Sequence, residues 1–371
     1  MATMTHDVAQ VARVRRTQLG LVWAVVAAAA FGLSGALASG LLDAGWSPAA
    51  LVLARIGVGA LALSVPAAVS LRGRWHLLRA NAGFLLAFGF VAVAGCQYSY
   101  FNAVERLPVA VAILVEYAAP VAVVCWMWAR HNQAPSRLTL VGAAVAIAGL
   151  LLVLNVFSVG SVDGIGVLWA LGGMVGCAFF FVVSSGEDNG LPPLVLAAGG
   201  LTVGSAMLAV AGLVGLVDLS ASTASATYNG VHVVWWVALL ALGVITAAVS
   251  YVAGVLASRA LGARLASFLG LLEVLFSVIF AWVLLGQLPG AVQLLGGVLL
   301  LGGVLVVRAG EPAPESPPPG SSAVLADSSA AAATDPDADD HGEHGQSEQE
   351  RETEQEHGQR DCLAMRRAGR P

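Results

Sequence analysis

Residues 128–149 read WARHNQAPSRLTLVGAAVAIAG, and residues 282–303, which follow 154 positions later, read WVLLGQLPGAVQLLGGVLLLGG. Besides Leu140 with Leu294, five identities stand in register between them: Trp128 with Trp282, Gln133 with Gln287, Pro135 with Pro289, Gly142 with Gly296 and Gly149 with Gly303. Sequences rich in Leu and Ala match easily by chance, but matched Trp and Gln-x-Pro positions carry more weight. The two stretches therefore predict an internal duplication.

The duplication extends to the opening segment of each half, where Trp23 matches Trp169 and Ser39 matches Ser185 at an offset of 146. Each half contains five apolar segments, and the ten lie at residues 19–40, 48–70, 81–103, 109–129, 138–157, 164–185, 193–216, 233–258, 265–285 and 290–307. A helix rises about 1.5 Å per residue, so each segment can cross about 30 Å of hydrocarbon. Because backbone groups in lipid must bond within their own segment, we predict an all-α polytopic membrane protein with ten transmembrane helices.

The order of the segments predicts how the two halves are oriented. Because five is an odd number, the second half begins on the opposite side of the membrane, which makes the halves inverted repeats. Eleven Arg residues fall on one side and only Arg106 on the other, and the Arg-rich side is expected to be cytoplasmic. Both termini are then cytoplasmic. The predicted organisation is a cytoplasmic segment at 1–17, repeat 1 at 18–157, repeat 2 at 164–308 and a disordered acidic tail at 309–371.

The composition excludes several classes of protein. Hydrophobic residues make up 58% of the chain and charged residues 11%, against about 25% charged residues in soluble domains. All 18 basic residues are Arg, so the chain lacks the Lys of a P-loop and of a pyridoxal enzyme. It also contains no HExxH or GxSxG motif. We therefore expect no enzyme, no cofactor and no nucleic-acid partner.

Two segments admit a second interpretation. The basic residues 13–16, the first apolar run and Ala36-Leu37-Ala38 also fit a cleavable signal peptide, although the run is long for one. The tail from residue 309 holds 14 acidic residues against five Arg, and its His341 and His344 suit weak metal binding. We favour a solvated acidic tail over a metal site for these residues, and we expect no metal to bind.

Six short motifs connect the sequence with a known family. They are Phe31-Gly32-Leu33-Ser34, Ala54-Arg55, Ala118-Ala119-Pro120, Leu271-Leu272-Glu273, Leu284-Leu285-Gly286-Gln287 and Gln293-Leu294-Leu295-Gly296-Gly297. On these motifs the chain resembles the drug/metabolite transporter superfamily, and within it the ten-helix EamA-type permeases, over about residues 17–308. The sequence departs from the family at Val274, where Pro is usual, and at Gln287, where Glu is common. The resemblance implies a solute cavity lined by helices 1, 3, 4, 6, 8 and 9, and it implies export.

Three ionisable residues fall inside the predicted spans, namely Arg55, Glu116 and Glu273. Such a residue costs roughly 2.5–3.5 kcal/mol on insertion scales, which makes each a functional candidate. In one interpretation both acids line a central cavity, where they bind a cationic or zwitterionic solute or exchange protons. In the other they form structural ion pairs, with Arg55 as the partner of Glu116.

Small or helix-breaking residues accompany the two acids. Pro120 lies one turn from Glu116 and removes a backbone hydrogen bond. Gly270 and Ser277 share the helical face of Glu273. We assign Arg55, Pro120, Gly270 and Ser277 structural or gating roles.

The third span is unusually polar, since it carries Gln97, Tyr98 and Asn102. Tyr251 is the nearest counterpart in the second half. These groups either line the pathway and bind solute, or form interhelical hydrogen bonds that hold the bundle together. Together with Glu116 and Glu273 they complete the candidate substrate-binding set.

The sequence therefore predicts a multi-pass secondary transporter of the cytoplasmic membrane, which moves a small metabolite, amino acid or drug-like solute, by alternating access. Its expected partners are that solute and the lipid bilayer, and the protein is a monomer or a homodimer. The alternative is a membrane-embedded protein that does not transport, such as an enzyme or a sensor or scaffold with an acidic tail.

Overall fold

A computed structural model describes residues 2–104, 106–107, 109–132, 134–154, 163–186 and 190–310. The tail from residue 311 onward, with His341 and His344, lies outside the described residues, so its predicted disorder stays a prediction.

The first half consists of helices joined by short connections. They are α1 (Ala2–Asp43), α2 (Pro48–Ser70), α3 (His76–Ala80), α4 (Ala82–Ala87), a π-helical segment π1 (Phe88–Gly95), α5 (Cys96–Val104), α6 (Val109–Glu116), α7 (Ala119–His131) and α8 (Arg137–Val153). The helix α1 begins at Ala2 and continues into the first span, and the cytoplasmic position of the N-terminal segment 1–17 stays a prediction.

The second half repeats this order and adds a β-hairpin. It contains α9 (Gly164–Ser185), α10 (Pro193–Leu213), β1 (Ala226–Tyr228), β2 (Val231–Val233), α11 (Trp235–Gly243), π2 (Val244–Val249), α12 (Ser250–Leu261), α13 (Ala263–Gly270), α14 (Leu272–Leu285) and α15 (Ala291–Gly310). The strands are antiparallel, with Thr227 opposite His232.

The predicted spans correspond to helices, but not all of them are continuous. Within the described residues, eight helices are long and apolar enough to cross a membrane, and two apolar helices, Ala119–Arg130 and Arg137–Val153, are shorter. The fourth span is broken at Tyr117–Ala118, just before Pro120, and the ninth is broken at Leu271. The fourth and ninth spans therefore each consist of two helices. Pro120 explains the first break because it has no backbone N–H.

The irregularities recur at equivalent positions, as a duplicated fold requires. Leu271 lies 154 positions after Tyr117, and both π segments end directly before the start of the next α-helix, at Gly95 and Val249, again 154 apart. α8 and α15 also begin 154 positions apart. The predicted register of the repeat thus matches the helix boundaries.

Glycines bring the last helices of the two halves, α8 and α15, into backbone contact. A Cβ atom added to Gly142 would lie 2.8 Å from the carbonyl oxygen of Gly303, and one added to Gly303 would lie 2.7 Å from that of Gly142. Gly149 and Gly296 form a second reciprocal pair at 2.7 Å. Small residues allow such close approach in membranes, so this interface is symmetric between the halves.

The first helix is an integral part of the bundle. α1 packs against α12 and α14, and Gly20 and Gly32 leave room for Ala260 and for the backbone of Glu273. This helix continues past Ala36-Leu37-Ala38 to Asp43, as the repeat requires.

The hairpin packs on the end of α1 that is predicted to face outward. The Tyr228 hydroxyl donates a hydrogen bond to the carbonyl oxygen of Leu37 at 2.7 Å, and its ring lies against Gly40. Burial raises the pKa of Tyr228 to about 12. Ser47 bonds to the connection before the hairpin through Asp218 and Ser220.

Candidate functional site

A cavity of about 600 Å³ lies between the two halves. Its walls come from α1, α6, α7, α9, α12, α13 and α14 and from the third span, as the resemblance implies, but α2 also contributes through Leu51, Val52 and Arg55. The contribution of α2 was missed from the sequence. The cavity extends to Asp43 and Pro48, at the helix ends predicted to face outward. Toward the opposite ends α1 and α12 meet, where Arg16 donates to the carbonyl oxygen of Arg259 at 2.9 Å.

Glu116 is the last residue of α6, and its carboxylate faces the cavity. The Cys96 thiol lies 3.4 Å from Glu116 Oε1 and equally 3.4 Å from the carbonyl oxygen of Gly173. A thiol is a weak donor, and it is shared here between two acceptors. Glu116 therefore keeps most of its capacity to accept hydrogen bonds or to pair with a cation.

Glu273 lies in the first turn of α14, directly after the break at Leu271. Its carboxylate forms a side-chain hydrogen bond with Tyr117, the residue at which the fourth span is broken. The two broken helices thus place both acids on the same cavity. Discontinuous membrane helices commonly build binding sites in secondary transporters.

Arg55 is only 8% exposed and does not form the ion pair considered from the sequence. Its Nη2 donates to the carbonyl oxygen of Thr246 at 2.7 Å, and its guanidinium lies 5.8 Å from the centre of the Phe31 ring. Among the described residues, no ion pair joins Arg55 to Glu116. The guanidinium of Arg55 is therefore held by the backbone of Thr246 and the ring of Phe31, and not by Glu116.

Gln97 and Tyr251 meet across the cavity wall, where their side chains are hydrogen-bonded. They are 154 positions apart and therefore equivalent in the repeat. Tyr98 instead packs edge-on against Trp169 at 5.7 Å, and Asn102 donates to the carbonyl oxygen of Tyr98 at 2.8 Å. Neither residue is part of the cavity wall, so their role in the pathway stays a prediction.

The residues assigned structural or gating roles also border the cavity. Pro120, Gly270 and Ser277 lie in its wall. Ser277 donates within its own helix to the carbonyl oxygen of Val274 at 2.8 Å. Its hydroxyl is thereby directed at α14 itself.

An aromatic cluster that sequence reasoning missed closes one side of the cavity. Phe31 lies 5.2 Å from Tyr251, Tyr251 lies 5.6 Å from Phe180, and Phe180 lies 5.3 Å from Phe181, measured between ring centres. The run Phe179-Phe180-Phe181 was the available signal. In an apolar span such a run equally fits a surface facing lipid.

The sequence of this chain matches the model of a known protein family. The model of the EamA-like transporter family matches residues 18–155 and again residues 164–309. One solved structure, described only as the crystal structure of a protein, has 20% identity, and the match covers 80% of this chain and 96% of that one with a TM-score of 0.64. The likeness at that identity shows a shared fold. No curated protein matches the sequence.

Proposed function

We propose, on the premise that this chain belongs to the EamA-like transporter family, that it carries a small organic solute across the cytoplasmic membrane by alternating access. The family and its membrane helices make it a multi-pass membrane transporter. The proposal also covers the kind of solute, the particular membrane and the direction of transport, which we propose is export.

The observation that carries the proposal is the cavity between two inverted halves. Its volume of about 600 Å³ suits a small organic molecule, and it is bordered by two partly buried carboxylates, those of Glu116 and Glu273. Inverted repeats around such a cavity can exchange conformations, so that the cavity opens alternately to each side. We assign Glu116, Glu273, Gln97 and Tyr251 to solute contact, and Arg55, Pro120, Gly270 and Ser277 to support or movement of the helices around it.

A flux assay on the purified protein in lipid vesicles tests this function. We expect at least one member of a broad panel of radiolabelled amines, amino acids and drug-like molecules to show protein-dependent flux. Glu273→Gln should reduce that flux by at least about tenfold, a loss equivalent to about 1.4 kcal/mol. Arg351→Gln in the tail serves as the control and should leave flux unchanged. Absence of flux for the whole panel, with normal folding, would contradict the proposal.

A further inference from the structure

The cavity is closed on one side by two aromatic residues that fit against glycines. A Cβ atom on Gly254 would lie 3.0 Å from Cζ of Phe180, and one on Gly270 would lie 2.9 Å from Cζ of Phe181. Through these contacts α9 packs against α12 and α13. By the predicted topology this is the cytoplasmic side.

The equivalent positions in the first half are open. At the offset of 146, Phe180 corresponds to Ser34 and Phe181 to Gly35, and at the offset of 154 Gly254 corresponds to Tyr100 and Gly270 to Glu116. All four of these first-half residues line the cavity, and a Cβ atom on Gly35 would meet nothing within 4 Å. In the part of the chain that the structure describes, α1 has no packing against α5 or α6 comparable to that of α9 against α12 and α13.

When inverted repeats exchange conformations, each half adopts the arrangement that the other half had. In the inner contact the large residues are on α9 and the small ones on α12 and α13. In the outer contact this is reversed, because the small residues Ser34 and Gly35 are on α1 and the large residues Tyr100 and Glu116 are on α5 and α6. The exchange therefore brings Tyr100 toward Ser34 and Glu116 toward Gly35. One residue of the outer contact is a carboxylate, whereas the inner contact is entirely apolar.

We propose that a positively charged group of the solute must pair with Glu116 before the outer side of the cavity can close. This inference rests on the proposed transport function and deepens it by naming the substrate class. The solute is a protonated amine or another organic cation with an apolar body.

The argument for a cation follows from the partners that Glu116 has. Burying an unpaired carboxylate in a closed helix contact is unfavourable by several kcal/mol. The Cys96 thiol is a weak, shared donor, and Arg55 is already bonded to Thr246 and seated on Phe31. Glu273, also on the cavity, adds negative charge. Among these described groups none supplies the missing positive charge, so it must come from a proton or from the solute, and the aromatic walls favour an organic cation.

The walls of the cavity suit the apolar part of the same solute. Phe31, Tyr100, Tyr117 and Tyr251 border the space in which the two carboxylates lie. Aromatic faces attract organic cations in addition to packing on their apolar atoms. An anionic solute would instead approach two carboxylates, and Arg55, the Arg among the described residues of the cavity wall, is 8% exposed.

Two residues that correspond in the repeat, Ser39 and Ser185, can be used to measure how open each side of the cavity is. Ser39 lies on the cavity wall near the outer end of α1, and Ser185, its counterpart, ends α9 on the opposite side. We would introduce Ser39→Cys or Ser185→Cys into a chain whose native cysteines are replaced by alanine, which adds no hydrogen-bond donor beside Glu116. The rate of reaction with a membrane-impermeant maleimide is then measured from each face of oriented vesicles.

The first arm needs no solute. Glu116→Gln removes the charge, so we expect labelling at position 39 from the outside to slow by about tenfold, and labelling at position 185 from the cytoplasmic face to rise. The matched control, Glu116→Asp, keeps the charge and should label like the parent chain. Unchanged labelling in Glu116→Gln would overturn the proposal. Gel filtration and thermal stability confirm that each variant is folded.

The second arm tests the class of solute with four probes of similar shape. Phenethylammonium should speed labelling at position 185 in the parent chain and have no further effect in Glu116→Gln, whereas phenethyl alcohol and phenylacetate should have none in either. Phenylalanine is a zwitterion, which has a protonated amine but no net charge. A response to it would show that a positively charged group is enough, and a response to phenethylammonium alone would show that the solute needs a net positive charge. An equal response to the alcohol, no response to either amine, or a response only to acidification would overturn the inference.

The two proposals fail in different ways. If labelling at positions 39 and 185 responds reciprocally to Glu116→Gln but no solute crosses the vesicle membrane, transport is wrong while the charge-dependent closure stands. If flux is found for a neutral or anionic solute, transport stands and the cation requirement is wrong.

Discussion

The membrane spans of the two halves are interrupted at equivalent positions, yet they pack differently around the cavity. In the second half two phenylalanines of α9 fill the space beside Gly254 and Gly270. In the first half Ser34 and Gly35 of α1 leave the equivalent space open. The backbone of the two sides is therefore equivalent, and a few side chains that break the symmetry decide which side of the cavity is filled in this structure.

The largest expected effect concerns the inversion itself, because its test has an all-or-none outcome. Gly45→Cys and Ser225→Cys should react with an impermeant thiol reagent on intact cells. Gln133→Cys and Gly320→Cys should react only after permeabilisation. Labelling of position 133 in intact cells would contradict the inverted arrangement of the two halves, on which their comparison depends.

The symmetric interface of α8 and α15 should be the most sensitive to added volume. Gly303→Leu forces a side chain into the backbone of α8, and overpacking of this kind destabilises by about 1–3 kcal/mol or more. The neighbouring Gly302→Leu is the control, because a Cβ atom there meets nothing within 4 Å. Thermal unfolding of the purified variants measures the difference, and equal melting temperatures would contradict the close packing of this interface.

Removal of one aromatic residue should shift the resting conformation. Phe180→Ala deletes the ring that lies against Gly254 and Tyr251, and loss of a buried Phe side chain is worth about 3–5 kcal/mol. We expect outside labelling of Ser39→Cys to fall by at least about tenfold. Phe179→Ala, in the same run of the helix, should leave it nearly unchanged. If the two variants label alike, the aromatic contact does not set the preference for one side.

The smallest effect belongs to the hairpin, which has no counterpart in the first half among the described residues. Tyr228→Phe removes the hydrogen bond to Leu37 and should lower stability by about 1 kcal/mol. Thr227→Val, which removes the exposed hydrogen bond between Thr227 and His232, is the comparison. Thermal unfolding checks both, and a larger loss in Thr227→Val would contradict the assignment of the contact to Tyr228.

The Tyr228 contact also has a defined pH dependence. Burial raises the pKa of the hydroxyl to about 12, above its ordinary value of about 10. The hydrogen bond therefore contributes fully below about pH 10, and its contribution disappears as the pH rises through about 12. Stability measured from pH 6 to 9 should show no change attributable to Tyr228.

The sequence predicted the parts of the fold that depend on long apolar runs and on the register of the repeat. It did not predict the break at Leu271, where no proline marks the ninth span as Pro120 marks the fourth. The partner of Arg55 was also hidden, because the acceptor is the backbone oxygen of Thr246, which no residue type reveals. Tyr98 and Gln97 are adjacent in sequence but project in directions about 100° apart, and only Gln97 borders the cavity.

The reciprocal contact between α8 and α15 bears on how such a chain arises. Gly142 approaches Gly303, and Gly149 approaches Gly296, although the register of the repeat equates Gly142 with Gly296 and Gly149 with Gly303. Each helix therefore presents the same two glycines, seven residues apart, to its antiparallel partner. A single half inserted into the membrane in both directions would already possess the surface needed to pair with its own inverted copy. Fusion of two tandem gene copies would then make permanent an association that the ancestral half formed as separate molecules.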